Sequence, residues 1–205
     1  MTQCYLNMPK IKYTKQTRNS DFFNLYNCAQ FAWHRMSLQG EPKTSVFYYK
    51  MICIVFSALA LEAMANVCCQ QLFQNWKDAK SSSTINKLRS IFSTLNATWD
   101  DTKSPFSDVI WLIAVRHKIA HTKPNTTTEE GIIEEADLDI TENLLSDVGS
   151  EITLDNATRA ITKVYDLKNL LFKIMPTDKR DVLVLNGSLT TWVKLDEHTD
   201  KTDTN

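Results

Sequence analysis

The amino-acid sequence predicts an all-α protein, an antiparallel bundle of four to five helices. The 205-residue chain contains only four Gly and five Pro, too few for the frequent turns of an all-β sandwich. Hydrophobic residues make up 43% of the chain, which is enough for a substantial core. Along most of the chain these residues recur at spacings of three and four, the period of an amphipathic helix. We therefore expect one helical domain with short appendages.

Five segments carry this helical pattern. The second segment is apolar nearly all round and should be the buried centre of the bundle. The fourth has the clearest start, with Ser104 as the N-cap and Pro105 at the first helical position. In the fifth, the residues expected to face inward are Ile161, Val164, Tyr165, Leu167 and Leu171. The predicted segments are 21–38, 45–76, a third that follows a cap at 81–83 and reaches residue 95, 104–121 and 154–175.

Both ends of the chain are expected to lie outside the bundle. Residues 1–20 contain four basic side chains and no apolar run, and we expect a flexible basic arm there. Residues 176–205 form a tail. Within this tail the pattern over 182–195 predicts a small β-hairpin, because the dipeptide Asn186-Gly187 suits a two-residue type I′ turn.

The longest apolar stretch, residues 51–69, is long enough to cross a bilayer. Three polar residues interrupt it, however: Ser57, Glu62 and Asn66. An unpaired carboxylate at the centre of a bilayer would cost at least about 2.5 kcal/mol. The N-terminal residues do not resemble a secretory signal, and the five cysteines do not resemble a disulfide framework. We therefore expect a cytoplasmic protein with no membrane partner.

The net charge of −1 conceals an uneven distribution of charge. Residues 1–123 have a net charge of +8, whereas residues 124–158 contain no Lys or Arg and have a net charge of −10. The basic part could attract a polyanion such as RNA. The acidic part begins in a long predicted loop, residues 124–153, and could fold back onto the basic part or recruit a basic partner. The simpler alternative is that both parts are ordinary solvated surface.

The residues of greatest chemical interest lie at the end of the fourth predicted helix. Arg116 falls on an otherwise apolar row, so its charge requires a partner. Glu62 on the second helix is the expected counter-ion, and with Asn66 and Gln70 it forms a polar stripe on an apolar helix. His121 lies five residues after Arg116, about 140° round the helix, so one straight helix does not easily direct both side chains to one atom. The alternative is that Glu62 and Arg116 form an ion pair that only fixes helix packing.

At these residues the sequence resembles the HEPN superfamily, whose mark is an Arg followed after four to six residues by a His at a helix end. Arg116 and His121 match that motif. Residues 62–66, Glu-Ala-Met-Ala-Asn, are similar to the Glu-Ala-x-x-Asn of the second helix in many members. Pro105-Phe106 leads into the motif helix in a similar way. The resemblance covers residues 21–175.

The resemblance implies a helical bundle that forms a homodimer through the helix of residues 104–121, so that two Arg/His pairs share one cleft. Active members are metal-independent endoribonucleases of toxin, phage-defence and RNA-processing systems, which implies RNA as the substrate and no cofactor. His121 would act as general base or acid when the ribose 2′-OH attacks the adjacent phosphate, and Arg116 would stabilise the phosphoryl oxygens. His117, where many members have Asn, is either a second proton carrier or a residue favoured by the helix dipole.

Two other functions are compatible with the same sequence. The first is a catalytically inactive HEPN-like scaffold that binds a protein partner, which the acidic segment favours because it would repel RNA near the motif. The second is a toxin held inactive by a separate antitoxin. No His, Cys, Asp and Glu residues have metal-ligand spacing, and no Gly-rich phosphate loop is present. Five further residues are interpreted as structural or surface residues rather than as ligands or base-stacking platforms: His34, His198, Trp33, Trp76 and Trp111.

Overall fold

A computed structural model describes residues 11–18, 21–38, 40–76, 81–121, 148–183 and 187–194. The chain forms two compact units, a helical unit within residues 20–185 and a two-stranded ribbon that joins segments from its two ends. The described part of the helical unit contains five α-helices, which confirms the all-α class predicted for it. They are α1 (Asp21–Met36), α2 (Lys43–Leu72), α3 (Thr84–Thr94), α4 (Phe106–Ala120) and α5 (Leu154–Ile174).

Helix α2 is the centre of the helical unit and contacts each of the other four helices. Its buried residues lie on one half of its circumference, and the apolar residues of the other half are only partly buried. Among the described residues, α2 has the length and apolarity of a membrane-spanning helix, and 56% of its most apolar window is buried inside the unit. The predicted central position is therefore confirmed, although only one half of the helix surface is fully buried and the helix ends at Leu72, before residue 76.

Two helices begin at a side-chain N-cap, whereas α2 and α4 begin after a proline that offers none. Ser83 caps α3, because its hydroxyl accepts a hydrogen bond from the Asn86 backbone N–H at 3.3 Å. Thr153 caps α5 in the same way. The predicted N-cap at Ser104 is wrong: the Ser104–Pro105 peptide bond is cis, Pro105 is the N-cap and α4 begins at Phe106. The Ser104 side chain instead forms a hydrogen bond with Asp108.

The core row of α5 recurs at spacings of three and four, as predicted, with one correction. Its buried apolar residues contact α2 and the start of the following 3-10 helix, and they include Ala157, Ile161, Val164, Leu167 and Leu171. Tyr165, which the spacing predicts to face inward, is 46% exposed. A tyrosine next to Val164 on a helix is rotated about 100° from it, so it lies at the edge of the buried stripe.

The predicted C-terminal hairpin over residues 182–195 is wrong. Val182 and Leu183 belong to a 3-10 helix, Arg180–Leu183, and the Leu183 side chain is buried in the core. The strand β2 (Gly187–Lys194) pairs antiparallel with β1 (Ile11–Arg18), so that Ile11 lies opposite Lys194. Residues 11–18 are therefore a strand, which differs from the expected flexible arm. The two outer parts of the arm, residues 1–10 and 19–20, lie outside the described residues.

The N-cap of α3 generates the first testable prediction. Ser83→Ala removes the hydroxyl that satisfies the Asn86 N–H, so the free energy of unfolding should fall by about 1 kcal/mol. Ser81→Ala is the matched control, because Ser81 is exposed in the preceding turn and should change stability by less than about 0.5 kcal/mol. Urea denaturation of both variants measures the difference. Equal stability of the two variants would contradict the role of Ser83 as the cap.

Candidate functional site

The motif residues occupy the last turn of α4 and the facing turn of α2. Arg116 Nε lies 3.7 Å from Glu62 Oε1, the pairing that the polar stripe on α2 predicts. The two side chains are 27% and 30% exposed, so this ion pair lies at the surface rather than in the core. A pair of this length and exposure contributes only about 0–1 kcal/mol to stability. The Arg116 guanidinium is thus held near Glu62 but not locked to it.

His117 and His121 form a pair of stacked imidazoles at the same helix end. Their ring centroids lie 5.6 Å apart, the ring planes are inclined by only 17°, and both residues are exposed. His121 is the C-cap of α4, and its backbone N–H donates to the His117 carbonyl oxygen at 3.0 Å. The structure therefore brings His121 next to His117 and Arg116 next to Glu62, all within two facing helical turns.

Asn66, the second predicted supporting residue, is directed to a different helix. Its Oδ1 accepts a hydrogen bond from Lys87 Nζ of α3 at 3.0 Å. Glu62 and Asn66 are thus neighbours on α2, but one contacts α4 and the other contacts α3. Sequence reasoning missed Lys87, because no spacing rule connects a lysine of α3 with an asparagine of α2.

One face of α4 is not covered by the described part of the chain. Ala114, His117 and Ala120 are exposed, and Ile110 and Ile113 are only half-buried. The opposite face is buried in the core through Val109, Leu112 and Val115. An apolar helix that exposes alanines and half-exposes isoleucines can accept a second surface. This uncovered face ends at the two histidines.

A second polar cluster, which sequence reasoning did not find, holds α4 against α5. Arg159 Nε and Nη2 lie 2.7 Å and 2.6 Å from Asp108 Oδ1, and the Arg159 guanidinium carbon lies 4.2 Å from the centroid of the Trp111 ring. Burial raises the pKa of Asp108, but hydrogen bonds from Ser104 and Arg159 outweigh it, and the pKa lies below its ordinary value of 3.8. In the sequence, Asp108 is only an acidic residue in the first turn of a predicted helix, where the helix dipole favours it, and nothing there indicates its pairing with Arg159.

The next link of the same cluster joins α4 to a short 3-10 helix, Gly149–Glu151. Lys118 Nζ lies 2.8 Å from Glu151 Oε1. The hydrogen bond from Lys118 is the main reason why the pKa of Glu151 lies below its ordinary value of 4.5, and a hydrogen bond from Trp111 adds to it. Asp108 therefore holds α4 against α5, and Lys118 holds it against the 3-10 helix. Arg116 and His117 take no part in this cluster.

The part of the chain that the structure describes contains no metal site, and two of its thiols, those of Cys53 and Cys68, are unreactive. Among those residues, no group of three or more His, Cys, Asp or Glu side chains is placed to hold a metal ion. Burial raises the pKa of the Cys53 and Cys68 thiols to about 12, so these two cysteines are poor nucleophiles at neutral pH. Most of the acidic loop predicted at 124–153, residues 124–147, lies outside the described residues, as does His198.

Comparisons with protein-family models, with curated proteins and with solved structures find no match for this chain. Function is therefore inferred from the residues at the end of α4 and from their partners. These residues supply two imidazoles, one guanidinium and one carboxylate within two facing helical turns.

The ion pair between Asp108 and Arg159 generates the second prediction. Asp108→Asn should lower the free energy of unfolding at pH 7 by about 1–2 kcal/mol, because Arg159 loses its charged acceptor. The folded-state pKa of Asp108 is below 3.8, so its contribution is complete above that value and is lost as the pH falls through the folded-state pKa. The difference between wild type and variant should therefore shrink below about pH 4.

Urea denaturation at pH 7 and at pH 3 measures this effect. Asp178→Asn is the control, because Asp178 is exposed in the turn after α5 and the substitution removes the same charge. A difference that stays constant between pH 7 and pH 3 would show that the charge of Asp108 is not what stabilises the fold.

Proposed function

We propose that this chain is a metal-independent endoribonuclease of the HEPN type, which cleaves RNA with Arg116 and His121. The proposal rests on one observation: two exposed imidazoles stack on each other at the end of α4, and a partly exposed guanidinium belongs to the residue that directly precedes His117. Imidazole transfers protons near neutral pH, and a guanidinium binds phosphate through two parallel hydrogen bonds. Proton transfer and stabilisation of the phosphate charge are the two requirements of phosphodiester cleavage without a metal, and these side chains can provide both.

The reaction is an attack of the ribose 2′-oxygen on the adjacent phosphorus. His121 takes the proton from the 2′-OH as the new P–O bond forms, and the bond to the 5′-oxygen breaks. The leaving 5′-oxygen receives a proton, for which His117 is the candidate donor because its ring lies 5.6 Å from that of His121. The products are a 2′,3′-cyclic phosphate and a free 5′-hydroxyl. This geometry allows either histidine to be the base and the other to be the acid.

Arg116 stabilises the negative charge that develops on the phosphoryl oxygens. Its weak surface pair with Glu62 supports this role, since the guanidinium can turn from a carboxylate 3.7 Å away to a phosphate without a large loss of stability. Glu62 orients the guanidinium in the free protein. Asn66, the next polar residue of the row along α2, contacts Lys87 of α3 instead of α4.

The second part of the proposal is a homodimer that joins two α4 helices. The face that would be shared contains Ile110, Ile113 and Ala114 and ends at His117 and His121. Two copies in contact along this face bring four histidines and two arginines into one cleft, which removes the difficulty that one helix directs Arg116 and His121 about 140° apart. The basic part of the chain, net +8 over residues 1–123, supports the attraction of RNA to that cleft.

The proposed biological setting follows from the same resemblance. We propose a cytoplasmic activity in a toxin, phage-defence or RNA-processing role, with an antitoxin or another protein as the partner that restrains it. The acidic residues 124–158 are the part of the chain that a basic partner would recognise by charge.

The second candidate function is a catalytically inactive helical scaffold that binds a protein partner. One observation favours it: Glu62 already compensates the charge of Arg116, as a purely structural ion pair would. In that case the exposed face of α4 is a protein-binding surface and the two histidines are ordinary surface residues.

Cleavage of a mixed RNA pool in excess EDTA distinguishes the two functions. The wild type should cut RNA and leave 2′,3′-cyclic phosphate ends, which mass spectrometry identifies. His121→Ala should lower the rate by about 10²- to 10⁴-fold and Arg116→Ala by about 10²- to 10³-fold, the usual contributions of an acid or base and of one charge-stabilising group. Strands with 2′-deoxyribose should resist cleavage, because they lack the attacking oxygen.

Arg89→Ala is the matched control for Arg116→Ala. Arg89 on α3 is also an exposed arginine paired with a carboxylate, at 2.6 Å from Asp101, so its loss tests whether any paired arginine matters. Its rate should stay within about twofold of the wild type. No cleavage by the folded wild type at high protein concentration would leave the scaffold as the better explanation.

The proposed homodimer generates the fourth prediction. Ala114→Glu places a carboxylate at an exposed position in the middle of the proposed interface, so it should convert a dimer into a monomer and reduce cleavage, while the fold is retained. Sedimentation velocity measures the mass, and circular dichroism checks the helix content. Ser90→Glu, at an exposed position of α3, is the control. A wild type that sediments as a monomer at every concentration tested would rule out the shared cleft.

A further inference from the structure

A groove of about 550 Å³ lies between α1 and α5. Its volume is in the range of small-molecule sites in proteins, which is roughly 300–1,000 Å³. Helix α1 supplies Tyr26, Gln30, Trp33 and His34, and α5 supplies Thr162 and Tyr165 above the buried Ile161. These helices differ from the pair that carries the Arg116 and His121 motif, so the proposed nuclease does not explain the groove.

Large aromatic rings are exposed at this groove and held in place. Trp33 is 39% exposed, and its Nε1 donates a hydrogen bond to Thr158 Oγ1 at 3.2 Å, which limits rotation of the indole. Tyr165 is 46% exposed, and the Lys168 ammonium lies 4.9 Å from the centroid of its ring. A tryptophan and a tyrosine that are anchored and yet exposed on neighbouring helices provide flat apolar surfaces for another ring.

Polar groups lie between these aromatic surfaces. Gln30, His34 and Thr162 are exposed and together offer hydrogen-bond donors and acceptors. The Tyr26 hydroxyl is protonated at neutral pH, like that of any tyrosine, and can donate a hydrogen bond; burial raises its pKa further, to about 12. No carboxylate is among the described residues that line the groove, although Asp166, paired with Lys163, lies close enough to act on Tyr26. Lys168 adds a positive charge at the ring of Tyr165.

We infer that this groove binds a nucleobase, with the ring stacked on Trp33 or Tyr165 and its edge hydrogen-bonded by Gln30, His34 or Thr162. Proteins recognise unpaired bases by this combination of aromatic stacking and polar side chains at the base edge. The aromatic side chain of a partner protein fits less well, because a phenyl ring would leave the amide, imidazole and hydroxyl groups without partners. The lysine near Tyr165 suits the phosphate that accompanies a base.

The inference extends beyond the proposed nuclease, since binding of a base here requires neither Arg116 nor His121. A base can reach the groove from a free nucleotide or from a single-stranded RNA. The two sources share the same chemistry, so the test includes both.

The first arm of the test titrates AMP, GMP, CMP and UMP into the protein by calorimetry. The second arm titrates a fluorescein-labelled 2′-O-methyl RNA hexamer, which lacks the free 2′-OH and therefore cannot be cut by the proposed mechanism. Trp33→Ala and Tyr165→Ala should each weaken the affinity for whichever probe the wild type binds by about 5- to 150-fold, the usual effect of one lost base stack. Gln30→Ala should change the preference among the four bases rather than the affinity for all of them.

Phe31→Ala is the matched control, because Phe31 is an aromatic residue of the same helix, 63% exposed, that does not line the groove. The affinity of Phe31→Ala for the probe should stay within about twofold of that of the wild type. Binding of a mononucleotide that depends on Trp33 identifies a nucleotide site, and binding of the hexamer alone that depends on Trp33 identifies an RNA site; both outcomes support the inference. If neither probe binds the wild type, or if Phe31→Ala weakens binding as much as Trp33→Ala, the inference is overturned.

The same experiment separates this inference from the proposed nuclease. The double variant Arg116→Ala/Trp33→Ala should bind the mononucleotides or the hexamer about 5- to 150-fold more weakly than Arg116→Ala alone, because Trp33 lines the groove and Arg116 does not. If the protein cuts RNA but its groove binds no probe, the proposed function stands and the inference about the groove is overturned. If it binds a base through Trp33 but cuts no RNA, the inference stands and the proposed function is overturned.

Discussion

The structure depends on the burial of α2. The helix is mostly apolar, so it is stable in water only when neighbours cover much of its surface. Contacts with all four other helices bury one half of it and partly bury the other half. Two of its polar residues lie where neighbours meet it: Glu62 contacts Arg116 of α4, and Asn66 contacts Lys87 of α3. The candidate site thus forms where one of the few polar residues of an apolar helix, Glu62, meets a charged residue of a neighbouring helix.

Helix α4 is held on one side and uncovered on another. The Asp108–Arg159 ion pair, with the Trp111 ring against the guanidinium, attaches it to α5, and its apolar residues attach it to the core. The Glu62–Arg116 pair is longer, and its carboxylate is more exposed than that of Asp108, so it contributes little to that attachment. A strong structural ion pair and a weak one on the same helix favour different roles for the two arginines: Arg159 fixes the helix, whereas Arg116 is available for another anion.

Most of the helical unit could be predicted from the sequence, because apolar periodicity and N-caps act locally. The five helices and the cap at Ser83 illustrate this. The ribbon could not, since the partner of β2 lies more than 160 residues away along the chain and the local Asn-Gly signal indicated a hairpin instead. Within the site, the Glu62–Arg116 contact was predictable from charge on apolar helices, whereas Lys87 and Arg159 required the tertiary packing.

Exposure is the property that periodicity predicts least well at the edges of a helical stripe. Tyr165 belongs by spacing to the apolar row of α5, and Trp33 is by type a core or interface residue, yet both are exposed in one groove. At the boundary of a stripe, a rotation of a few tens of degrees decides between burial and exposure, and only the packing of α1 against α5 fixes that rotation. The hydrogen bond from Trp33 to Thr158 then holds the ring at the surface, where its flat face is accessible to a ligand.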